Sequence, residues 1–157
     1  MILEIREGGS TKIVYSLERE ALSNPEWIRD ARTATLDRAI GSKGRYGLLA
    51  TDEWWENVKA KRVPLLNVSG RIIKAYRAGR DYLDNNTVDL ISPNGDELTV
   101  GIYVNSRKDV SLFEQGNWLD MVYVLEELKH QPAKGGGVNY SKVALEVAIT
   151  VPSPQLA

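Results

Sequence analysis

Hydrophobic and polar positions alternate with a period of two over most of the chain after residue 62, and follow a looser helical spacing before it. The clearest signal is "TVDLISPNGDELTVGIYVN". Val88 and Leu90 stand before Asn94-Gly95, with Leu98, Val100, Ile102 and Val104 after it, which is the signature of a β-hairpin with a tight turn. "NWLDMVYVLEELK" alternates Leu119, Met121, Tyr123 and Leu125 against Asp120, Val122, Val124 and Glu126. "SKVALEVAITV" alternates more strictly, with Val143, Leu145, Val147, Ile149 and Val151 on one face. "PAKGGGVN" between them reads as a flexible hairpin loop, and "VPLLNVSGRIIKAYRAG" as one long strand bulged or bent at Gly70.

Ahead of these, "ILEIREGGSTKIVYSLE" predicts a hairpin. Leu3 and Ile5 share one face of its first strand, Ile13, Tyr15 and Leu17 one face of its second, and Gly8-Gly9 supplies the turn. Two helices follow. The first is predicted over 24–40, from a Ser23/Glu26 capping box and Pro25 in the first turn to a stop at Gly41. Its apolar face is Trp27, Ile28, Ala31, Leu36, Ala39 and Ile40. The second spans 52–61, capped by Thr51 or Asp52, with acids at its start, Lys59 and Lys61 at its end, and Pro64 beyond.

Five β segments after residue 62 suggest an α+β fold: a small, mostly antiparallel β-barrel, OB-like or SH3-like, with the N-terminal hairpin and two helices packed on it. The expected organisation is one domain over 1–157, with hairpin and helices in 1–62, barrel core in 63–151 and a tail at 152–157.

Composition narrows this picture little. The 157 residues are 43% hydrophobic and 26% charged, ordinary for a globular chain, and no apolar run reaches membrane-span length. "MILEIREGG" is too short and too charged for a signal peptide, so a cytoplasmic protein is expected. The absence of Cys removes disulfides, thiolate nucleophiles and Cys-based metal sites. Net charge is −1, yet residues 41–80 carry 9 basic and 3 acidic groups while residues 81–157 carry 5 and 11. A basic face results only if folding does not interleave the two.

The candidate chemistry is sparse. "GSKGRYGLLATDEWWENV" has glycines at 41, 44 and 47, but neither the spacing nor the preceding strand that a phosphate-binding loop needs. It reads as a connector in which Lys43 and Arg45 form at most a weak anion loop. His130, the only histidine, has no nucleophile or orienting acid near it in sequence. Asp81, Asp84, Asn85, Asn86 and Asp89 lack the ligand spacing of a calcium loop and suit turn chemistry. The neighbouring acids Asp96-Glu97 and Glu126-Glu127 diverge on strands and make no dyad. No catalytic residue, metal or cofactor is therefore assigned.

Two surfaces remain. Trp54 and Trp55 point about 100° apart on a helix, so one or both can anchor a protein partner. Arg71, Lys74, Tyr76 and Arg77 combine charge and a ring, as single-stranded nucleic-acid grooves do. An unbroken strand would split them between two faces, and the pI near 5.9 counts against the idea. The leading reading is a non-catalytic binding module acting through a protein partner, as an adaptor, inhibitor or immunity-type protein. An OB-like nucleic-acid binder is the alternative, and an acid-based hydrolase the third.

Overall fold

A computed structural model describes residues 2–37, 41–80, 83–129 and 139–154. Among the described residues six strands form one antiparallel sheet: β1 (Gly9–Ser16), β2 (Leu65–Tyr76), β3 (Thr87–Ile91), β4 (Glu97–Gly101), β5 (Trp118–Glu127) and β6 (Tyr140–Pro152). Their order across the sheet is β1-β6-β5-β2-β3-β4. Three helices, α1 (Leu17–Ser23), α2 (Pro25–Asp37) and α3 (Asp52–Lys59), lie between β1 and β2 in sequence, and a 3₁₀ turn spans Arg107–Leu112.

The α+β class is as expected; the barrel is not. β1 and β4 are the two edges of an open sheet. Met121, Val122, Tyr123 and Val124 of β5 are all buried, as are Val147, Ala148, Ile149 and Thr150 of β6. Both faces of these two strands are therefore covered.

The chain gathers into two compact units. Unit 1 holds residues 1–16, 67–122 and 146–157; unit 2 holds 17–66 and 123–145. β2, β5 and β6 contribute residues to both.

In unit 1 the β3–β4 hairpin forms as its pattern predicts. Gly95 takes φ +88°, and Leu90 pairs with Leu98. The N-terminal hairpin does not form. β1 begins at Gly9 and pairs with β6, while residues 2–8 contain no strand. Side chains hold that segment instead. The Arg6 guanidinium forks onto both oxygens of Asp120 and stacks over the Trp118 ring, 4.1 Å from its centroid. Ser69 joins the cluster, donating to Asp120 and accepting from Arg6 and Trp118 Nε1. The Glu146 carboxylate accepts from the backbone N–H groups of Ile2 and Leu3.

Beyond β1's far side, the Asn105 side chain spans the backbone N–H and C=O of Ser16, and the Asn105 backbone N–H donates to Val14 O. β1 is bulged at Val14, which lets the consecutive residues Val14 and Tyr15 both be buried. β2 also bulges, at Ile73 in its pairing with β3. Gly70 answers to close approach: a Cβ there would stand 2.7 Å from Ile91 O.

In unit 2, α3 lies where the sequence places it, and the Thr51 hydroxyl accepts from Trp54 N as N-cap. α2 starts at Pro25 as expected, but the capping box does not form, because the Ser23 hydroxyl turns back to Arg19 O as the last residue of α1. Of the predicted apolar face, Ile28 is buried while Trp27 and Leu36 are exposed. Ala39, Ile40, His130 and most of the 132–139 connector lie outside the described residues.

Candidate functional site

The two tryptophans of α3 separate cleanly. Trp54 is 0% exposed, and its indole Nε1 donates to Glu126 Oε1 at 2.6 Å. It is a core residue and offers a partner no surface. Trp55, half-buried, meets it edge-on, with ring centroids 4.9 Å apart at 85°. Asp52 and Lys59 share the Trp55 stripe of α3, and Glu53 and Glu56 are exposed on the same short helix. The accessible face of α3 is thus a ring with three acids against one lysine.

The glycine loop before α3 serves the adjacent acids of β5. The Ser42 hydroxyl donates to Glu126 Oε2 at 2.9 Å. Lys43 Nζ reaches Glu127 Oε1 at 2.6 Å and Arg45 Nε reaches Glu127 Oε2 at 3.1 Å. Backbone bonds from Lys43 N to Glu127 O and from Lys129 N to Gly41 O fix the loop alongside β5. The anion that Lys43 and Arg45 meet is the chain's own Glu127. The Lys43 hydrogen bond, followed by the charge of Arg45, holds this carboxyl below the usual carboxylate range, while burial acts in the opposite sense. Glu126 and Glu127 turn to different partners, as adjacent strand residues must.

The bulge at Ile73 changes the basic strand. Arg71, Lys74 and Tyr76 pair with Ile91, Asp89 and Thr87, so all three fall on one face of unit 1, where an unbroken strand would have divided them. That face is not cleanly basic. Lys74 Nζ lies 4.9 Å from the centroid of the Tyr76 ring. The Tyr76 hydroxyl donates to Asp89 Oδ1 at 3.0 Å, which Thr99 also approaches, and that bond raises the phenol's pKa. Arg77 is exposed just past the strand end. Of the Asx-rich loop, Asp84 pairs with Arg107 and the Asn86 amide closes on the backbone of Ala78.

The family model described as Immunity protein RhsI2 matches residues 11–150. The chain belongs to this family. The search of curated proteins returned no match. An immunity-type protein acts through a protein partner and not by catalysis, which accords with the binding-module reading of the sequence. No described helix is long and apolar enough to cross a membrane.

For an immunity protein the informative features are those that face outward or are left incomplete. Unit 2 has a pocket of about 240 Å³ walled by Trp27, Ala31, Leu49, Leu128 and Val143, with Glu126 beside them. Sequence reasoning missed this pocket. The sequence pattern puts Trp27 on the apolar face of a helix and Glu126 in a pair of diverging strand acids. The available signal was the adjacent acids Glu126 and Glu127 closing a strand that is otherwise largely apolar.

Proposed function

We propose that this immunity protein binds a toxin protein and blocks it by occupying its surface, with α3 as one contact. The observation that carries the reading is the family match over residues 11–150. Trp55 supports the choice of α3: an accessible ring beside Asp52, Glu53 and Glu56 suits a partner with a basic patch. Trp54 acts behind it as the residue that fixes the helix. The cytoplasmic location expected from the sequence is part of the same proposal, and fractionation of cells expressing the chain tests it.

The nucleic-acid reading keeps one observation in its favour, the gathering of Arg71, Lys74 and Tyr76 by the Ile73 bulge. Against it, Lys74 covers the ring on which a base would stack, and Asp89 and Glu97 share the face.

The test is to capture partners from native lysate with and without nuclease, identify them, and express each in a heterologous host with and without this chain. Rescue of growth from a toxic partner is expected. Trp55→Ala should weaken binding about 30-fold, the loss of a roughly 2 kcal/mol anchor, with a fold that still melts cooperatively. A partner whose toxicity the chain does not relieve overturns the reading.

A further inference from the structure

Glu126 is 5% exposed, and within the described residues it belongs to no ion pair. Its two oxygens accept from Trp54 Nε1 and Ser42 Oγ, both neutral donors, while the nearby cations Lys43 and Arg45 are taken by Glu127. Neither oxygen has an ion-pair partner among the described residues, so the site has room for a cation's charge-assisted bond. Strand alternation puts Glu126 and Leu128 on the same face of the chain, so the carboxylate lies on the side of the pocket's apolar wall. At about 240 Å³ the pocket is below the roughly 300–1,000 Å³ of ordinary small-molecule sites, which suits one side chain better than a cofactor. An apolar sleeve beside such a carboxylate matches an aliphatic stem with a cationic head.

We propose that this pocket receives a lysine or arginine side chain of the protein partner, with its stem against Trp27, Leu128 and Val143 and its head on Glu126. The proposal rests on the toxin-binding reading for the identity of that partner, but the pocket can be tested without it. Because the Trp54 indole N–H is bonded to Glu126, its nitrogen-15 resonance reports a cation arriving there. The isolated chain is titrated with n-butylammonium, n-butylguanidinium and n-butanol. A saturable shift with the two cations, absent with butanol and absent in Glu126→Gln, is expected. Equal response to butanol, persistence in Glu126→Gln, or no saturable shift overturns the proposal.

A second arm uses a captured toxin. Glu126→Gln, which keeps the side chain's shape and an acceptor for Trp54, should weaken toxin binding at least about tenfold while the free chain melts no lower than wild type. Toxin bound equally by both forms removes the pocket proposal and leaves the toxin reading standing. Cation binding lost in Glu126→Gln, with no toxin among the captured partners, does the reverse.

Discussion

Glu127 lies between Lys43 and Arg45 with its carboxyl pKa lowered, first by the Lys43 hydrogen bond. A carboxylate whose folded pKa is below its unfolded value, about 4.3 for Glu, contributes stability above that value and loses it as pH falls through the folded pKa. The urea midpoint should therefore drop on acidification below about pH 5, and Glu127→Gln should remove part of that slope. An unchanged slope in the variant would dismiss the clamp as a source of stability. Trp54 makes a different demand. Trp54→Phe keeps most of the apolar volume but takes the indole donor from buried Glu126, a loss of about 1–3 kcal/mol readable in denaturant unfolding. Trp55→Ala, on the accessible side, should cost distinctly less stability. Two adjacent, identical residues cannot be told apart by composition or spacing; the choice between them is made by Glu126, 72 positions later in the chain.

Among the elements, those with strong local patterns were legible in the sequence. The β3–β4 hairpin carried both its alternation and its Asn-Gly turn, and α3 carried its cap and charge polarity. The N-terminal segment also alternates, yet Leu3 and Ile5 join no ladder: the backbone N–H groups of Ile2 and Leu3 go to the Glu146 carboxylate and Arg6 is held by Asp120. Period-two spacing marks a competent strand but does not supply a partner. The bulge at Ile73 is illegible for a similar reason: it is set by pairing with β3 and no glycine marks it. Gly70 has its own requirement, which gives a prediction. Gly70→Ala would drive a methyl against the Ile91 carbonyl and should destabilise by about 1–3 kcal/mol, seen as a lower melting temperature. A neutral result would mean that β2 and β3 can part at little cost.

For the whole molecule, the sharing of β2, β5 and β6 between the two compact units makes independent melting costly, since opening either unit frays strands of the other. Calorimetry should show one unfolding transition; two resolved transitions would make the units separate cooperative bodies. The open sheet that replaced the expected barrel leaves two edges, and they are not equivalent. A strand approaching β1 meets the bulge at Val14 and the Asn105 amide across Ser16, so a continuous ladder cannot run its length. β4 has no such obstruction among the described residues. Self-association by strand addition is thus steered to one edge, and two copies joined through the same edge have none left to offer. Assembly by that route stops at a symmetric pair and does not propagate as a fibre.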